Sequence, residues 1–186
     1  MATTQDVSSG MFLKYNGELV QIFDWQHRTP GNLRAFYQAR MRNIKNNKIV
    51  ENRFRSGEEV EIVRVDYKTM QYLYKDGESF VCMDKDTFDQ IYVPKEYFGD
   101  GIDFLKEEMD VTVTFFEDTP IMAAPPTFVE LEITYSEPAV KGDTSTNALK
   151  NATLETGAGV MVPMFVNQGE RIKIDTRTRS YVERVK

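Results

Sequence analysis

Hydrophobic and polar positions alternate with period two along most of the chain, the pattern of strands with one buried face. Val111, Val113 and Phe115 fall on one side, Thr112 and Thr114 on the other. Val129, Leu131, Ile133 and Tyr135 alternate with Glu130, Glu132 and Thr134. Ala35, Tyr37, Ala39 and Met41 alternate with Phe36, Gln38, Arg40 and Arg42, which predicts a strand carrying Arg34, Arg40 and Arg42 on its outer face beside an aromatic ring. Hairpin turns are predicted at Asn16-Gly17 and at Asp76-Gly77, the latter between Gln71-Tyr72-Leu73-Tyr74 and Phe80-Val81-Cys82-Met83. Helix signals are few. Asp86-Thr87-Phe88-Asp89 predicts the cap of a short helix through Gln90-Ile91-Tyr92, and Asp103 to Glu108 predicts another turn or two.

Many short strands at roughly ten-residue spacing indicate barrels or sandwiches. The local charge balance shifts near residue 64 and near Pro125-Pro126. These shifts divide the chain into an N-terminal piece 1–64, a central piece 65–128 and a C-terminal piece 129–186. Pieces of about sixty residues suit one compact barrel each. The expectation is an all-β chain of three small barrels in series, the second and third alike in strand rhythm.

Charge sharpens this picture. The formal net charge is −6, yet residues 1–63 carry +2, residues 64–132 carry −10 and residues 133–186 carry +2. From Arg28 to Arg55 there are eight basic residues (Arg28, Arg34, Arg40, Arg42, Lys45, Lys48, Arg53, Arg55) against one acid, Glu51. Such a concentration on an acidic protein points to a polyanion contact at one end; a well-hydrated basic hairpin is the plainer alternative. The first thirty residues lack a basic start followed by an apolar stretch, and no apolar run approaches membrane-spanning length, so a soluble cytoplasmic protein is expected.

Catalytic constellations are missing. The chain has one histidine, His27, and one cysteine, Cys82, so neither an internal disulfide nor an ordinary Cys/His zinc site is expected. His27, just before Arg28-Thr29-Pro30-Gly31, reads as a polar strand-end residue, and Cys82 as a small core side chain. The acidic pairs Glu58-Glu59 and Glu107-Glu108 read as solvated. No phosphate-binding glycine loop or dinucleotide fingerprint occurs. A binding module without metal or cofactor is expected rather than an enzyme.

The stretch from Lys150 through Gly157-Ala158-Gly159-Val160-Met161-Val162-Pro163 to Gly169 resembles the signature of the bacterial elongation factor P family. Ile172 to Arg177 and Tyr181 to Lys186 resemble that family's C-terminus. Pro125 to Glu132, Gly142-Asp143-Thr144 and Tyr72 to Glu78 fit as well, so the likeness covers essentially the whole chain. Eukaryotic and archaeal relatives lack a third domain, which favours the bacterial factor.

This resemblance implies an L-shaped, tRNA-like outline made of an SH3-like (KOW-type) barrel followed by two OB-folds. It implies a monomeric factor that binds the 70S ribosome next to peptidyl-tRNA and ribosomal RNA and stimulates peptide-bond formation stalled at consecutive prolines. It assigns Gly142, Asp143 and Thr144 to the loop near the exit-site codon, and Tyr181 and Arg184 to the anticodon side. Arg28, Arg40 and Arg42 are the candidates for phosphate contacts. A general single-strand RNA-binding β-barrel protein, or a paralogue with altered activity, is the alternative.

The hairpin tip departs from the family. There the tip reads approximately Pro-Gly-Lys-Gly, the lysine commonly bears an extension reaching the peptidyl-transferase centre, and other members carry a glycosylated arginine. Here the tip reads Thr29-Pro30-Gly31-Asn32-Leu33-Arg34, with Asn32 at the modification position. Asn32 accepts neither a lysyl-type extension nor arginine glycosylation, so the family's modifying enzyme is not expected to act on it. Three readings stay open: an unmodified tip, a cation supplied by Arg34 or less readily Arg28, and an unusual modification of Asn32 or a paralogue with an altered role.

Overall fold

The computed structural model describes residues 2–138 and 148–185. Gly142, Asp143 and Thr144 lie outside the described residues. Three antiparallel sheets follow one another along the chain. The first contains β1 (Ala2–Thr3), β2 (Phe12–Tyr15), β3 (Glu18–Arg28), β4 (Phe36–Asn43), β5 (Ile49–Arg55) and β6 (Glu59–Val63), in the order β1-β6-β2-β3-β4-β5. The second contains β7 (Asp66–Asp76), β8 (Ser79–Asp84), β9 (Gln90–Pro94), β10 (Asp110–Phe116) and β11 (Thr119–Ala124), in the order β11-β10-β7-β8-β9. The third contains β12 (Phe128–Ser136), β13 (Leu149–Leu154), β14 (Gly159–Pro163), β15 (Arg171–Asp175) and β16 (Ser180–Arg184), in the order β14-β13-β12-β15-β16. By compactness there are two units, one of residues 1–66 with 115–121, the other of 67–114 with 122–186.

Turn chemistry sets the register of the first hairpin. Asn16 and Gly17 have φ of 52° and 80°, the left-handed pair whose twist matches the strands it joins, and β2 and β3 pair from Tyr15↔Glu18 onward. At the second predicted hairpin, β7 and β8 pair from Asp76↔Ser79, with Gly77 at φ 58°.

The helix expected after Asp86 does not form. The Asp84 carboxylate accepts the amide hydrogens of Asp86 at 2.9 Å and Thr87 at 3.4 Å, and Phe88 sits at φ 62°. This side-chain turn competes with a helical start. Gln90, Ile91 and Tyr92 then enter β9, paired with Met83, Cys82 and Val81. The turns predicted from Asp103 lie further upstream, as a kinked 3-10 segment over Lys95–Phe104 that breaks its helical path at Gly99. Two strand positions also depart from strict alternation. Thr114 is buried between Val113 and Phe115, and Tyr135 is exposed because a register shift separates Ile133 from Tyr135.

Each sheet buries its alternate side chains. In the N-terminal unit Val7, Leu13, Val20, Ile22, Ala39, Met41 and Phe54 form the core. In the second unit Val129, Leu131, Ile133, Ala152, Leu154, Val160, Val162, Ile172 and Ile174 pack together, and Phe104 from the 3-10 segment is fully buried among them. Arg179, in the β15–β16 turn, lies over the Phe104 ring at 4.9 Å and donates to the Asp100 carbonyl at 2.7 Å and to Asp103 at 3.0 Å. Lys106 donates to Glu155 at 2.6 Å, and Glu155 in turn accepts the Glu132 amide at 3.1 Å. Gly101 is tight here for a different reason: a Cβ would meet Pro125 at 2.8 Å. The 3-10 segment and the third sheet therefore share one core.

Phe104→Ala should cost about 3–5 kcal/mol in urea unfolding, because the pocket it leaves is walled by β-sheet that cannot collapse. The Lys106 hydrogen bond holds the Glu155 carboxyl below its ordinary value of 4.5. Because the folded value is depressed, its contribution is complete above that ordinary value and is lost as pH falls through the folded one. The difference in Tm between the parent and Glu155→Gln should therefore shrink as pH is lowered from about 5 to about 3. Burial pushes the Cys82 thiol from 9.0 up to about 11, so iodoacetamide should label it only after unfolding.

Candidate functional site

The long hairpin of β3 and β4, backed by β5, carries most of the basic run. Its inner face follows the core pattern, with Ala39 and Met41 fully buried. Toward the tip this face becomes an aromatic ladder. Trp25 stacks on Tyr37 at 5.2 Å and meets Phe54 at 5.4 Å, while the exposed His27 ring lies 4.7 Å from Tyr37. Such contacts stiffen the stem by fixing ring orientations across strands.

The outer face is organised in cross-strand rows. Nearest the tip, Arg28, Phe36 and Arg55 are neighbours across β3, β4 and β5. The next row is Gln26, Gln38 and Arg53, and the third is Asp24, Arg40 and Glu51. Phe23 is the extra residue at the register shift between Ile22 and Asp24, and Arg40 lies over its ring at 5.0 Å. Arg40 also pairs with Glu51 at 3.0 Å. Arg53 lies over the Phe36 ring at 5.3 Å. On β3 a relay runs toward the tip: Gln26 donates to Asp24 at 2.9 Å, and Arg28 donates to the Gln26 amide oxygen. Arg42 is exposed beyond the third row, opposite Ile49.

The tip is a tight turn closed by the Leu33 amide donating to the Pro30 carbonyl at 3.1 Å. Gly31 and Asn32 occupy its centre without positive φ, so this turn does not require glycine. Gly31, Asn32, Leu33 and Arg34 are all exposed, with Leu33 at 74%. Arg34 was expected on the strand with Arg40 and Arg42, but β4 begins at Phe36, so Arg34 belongs to the tip. Among the described residues its guanidinium has no hydrogen bond or ion pair.

The remaining candidates lie in the second unit. Tyr181 on β16 packs half-buried against the third sheet's core and lines a shallow groove of ≈ 510 Å³ with Leu149, Met161 and Arg179. Arg184 pairs with Glu170 at 3.0 Å and lies 6.0 Å from the centre of the Phe165 ring. Glu170 is held below its ordinary value first by the Asn167 amide and then by Arg184. The geometry thus gathers Arg28, Arg34, Arg40 and Arg42 on one hairpin and leaves Tyr181 and Arg184 on the other unit. Arg53, Arg55 and Phe36 share the hairpin's outer face; the sequence puts the two arginines in the basic run and Phe36 on the outer side of its strand but does not name them as phosphate contacts. The alternation of Arg53 and Arg55 with buried Phe54 was the available signal.

Three domain models match successive parts of the chain. They are a KOW-like domain of elongation factor P at residues 3–60, its OB domain at 65–123, and its C-terminal domain at 129–184. These matches, on a fold of successive small β-sheets, define the class: a translation factor and not an enzyme. The chain belongs to the elongation factor P family. Elongation factor P of Chloroherpeton thalassium is 50% identical over 187 aligned residues, covering 100% of both chains. That of a Roseiflexus species is 46% identical over the same span, again covering 100% of both. Among solved structures, eukaryotic translation initiation factor 5A from Methanococcus jannaschii matches 66% of this chain and 94% of its own, at 18% identity and a TM-score of 0.48.

Because the tip turn is exposed and unstrained, Asn32→Lys should change stability by no more than about 0.5 kcal/mol, measured by thermal and urea unfolding.

Proposed function

We propose that this chain is a ribosome-binding elongation factor acting next to peptidyl-tRNA, where it stimulates peptide-bond formation that has stalled at consecutive prolines. The observation that carries this reading is the exposed tip turn, with the unpaired Arg34 guanidinium beside it, on a stem made basic by Arg28, Arg42, Arg53 and Arg55. Family membership supports the setting: elongation factor P works on the ribosome. In that setting the stem lies along RNA phosphates and the tip reaches toward the reacting acceptor ends. The contribution is positional, since holding two slow reactants in a productive geometry removes much of the entropic barrier. The factor supplies no nucleophile, metal or cofactor.

The tip acts without a modification at Asn32. The turn closes through backbone atoms, and the mobile cation comes from Arg34, two residues further on. Arg28, tied to Gln26, is the less suitable source. In this reading Gly142, Asp143 and Thr144 approach the exit-site codon, Tyr181 and Arg184 lie on the anticodon side, and the protein works as a cytoplasmic monomer.

Recombinant protein of unmodified mass should relieve a toeprint pause on a triproline message. Arg34→Ala should lose ribosome affinity by roughly tenfold, the scale of one charged hydrogen bond, and lose stall relief with it. Equal relief by Arg34→Ala rejects Arg34 as the cation. Retained RNA affinity with no relief by the parent supports a general RNA-binding protein instead. Mass analysis of the native protein checks the tip directly, because any added mass on the peptide containing Asn32 rejects the unmodified reading.

A further inference from the structure

The basic face of the hairpin is not uniformly cationic. Its third row carries Asp24 and Glu51 around Arg40, and the Arg40–Glu51 pair is 3.0 Å apart, so that row has no surplus positive charge. The two rows nearest the tip contain three cations, Arg28, Arg55 and Arg53, and no acidic residue of their own; the one carboxylate beside them is Glu58, which accepts the Arg55 amide hydrogen at 2.7 Å. The field available to a polyanion is therefore strongest around Phe36, not around Arg40.

Geometry adds to this bias. Arg53 lies over the Phe36 ring at 5.3 Å and has no acidic partner among the described residues. A guanidinium resting over an aromatic ring has fewer rotamers to lose on binding. On the other side of Phe36, Arg28 is held along β3 by the Gln26–Asp24 relay. Two guanidinium forks thus flank one ring, both restrained before any ligand arrives. Arg55, the cross-strand neighbour of Phe36, completes the cluster.

We infer that Arg28, Arg53 and Arg55 around Phe36 form a preorganised phosphodiester-binding site for an RNA backbone, in which the Phe36 ring fixes the Arg53 fork. This rests on the ribosomal reading above and adds to it the residues that grip the RNA. Charge complementarity and paired forks, which suit bidentate phosphate recognition, point to a nucleic-acid backbone as occupant. Arg53 is the principal contact. Phe36 is a positioning residue and does not itself bind.

The test uses the full chain in two RNA-binding assays across a potassium chloride series, with phosphatidylglycerol vesicles as the non-RNA anionic control. One ligand is the 70S ribosome stalled with peptidyl-tRNA on triproline codons, and the other is a short synthetic RNA hairpin. Arg53→Ala should weaken both by roughly tenfold and lower the salt slope by about one. Arg53→Lys and Phe36→Leu keep the charge. They should weaken binding by about three- to fivefold with the slope nearly unchanged, because only the held fork is lost. Lys48→Ala removes one charge from the far end of the hairpin and should change affinity less than twofold, roughly the scale of a screened exposed charge. Unchanged unfolding midpoints establish that each variant folds.

If Arg53→Ala binds as the parent does, or Lys48→Ala loses as much, there is no localised site. Parent-like binding by both Arg53→Lys and Phe36→Leu overturns the held fork. If Arg53 governs binding to phosphatidylglycerol vesicles but not to RNA, the ligand class is wrong. Arg53-dependent binding to the RNA hairpin, with no binding to the stalled ribosome, upholds the site and rejects the ribosomal reading. Failure on both RNA ligands rejects both.

Discussion

The side-chain alternation of β4, held between β3 and β5, gives the hairpin two unlike faces. One set of residues, Tyr37, Ala39 and Met41, packs toward the aromatic ladder and the core. The other set, Phe36, Gln38, Arg40 and Arg42, points away from it. A one-residue slip would send guanidiniums into the core, where an unpaired charge is costly. Core packing thus imposes the register, and the register arranges the surface charge into rows. The extra residue at Phe23 keeps this pairing in step past the bulge and gives Arg40 its ring.

The second unit depends on a different constraint. Phe104 comes from the segment following β9, yet its side chain completes the core of the third sheet. Arg179 covers that ring and Lys106 ties to Glu155, so polar contacts surround an apolar insertion. The central segment and the third sheet meet as a packed core joined by fixed hydrogen bonds, and a flexible joint is not the picture here.

Much of this was legible because it rests on local chemistry. Asn16-Gly17 names its turn, the expected Asp76-Gly77 turn falls one residue later on Gly77-Glu78, and alternation names the strands between them. The helix expected at Asp86 failed because Asp84, two residues earlier, bonds the turn amides, and such competition lies below the resolution of periodicity. Tyr135 is exposed where its pattern says buried, because a bulge resets the phase. In the candidate site, Arg40 and Arg42 were visible as outward residues, but the value of each depends on cross-strand neighbours. Glu51 sits eleven positions from Arg40 in sequence and opposite it in the sheet. Arg53 and Phe36 meet only through that same pairing. The family resemblance located the tip, while the absence of a partner for Arg34 needed coordinates.

The Pro30–Leu33 turn closes through backbone atoms and leaves the Asn32 side chain exposed. Its centre makes no demand on side-chain identity, so a lineage is free to rewrite the end of the hairpin without rebuilding the scaffold beneath. Tip sequence and scaffold are separable inheritances here.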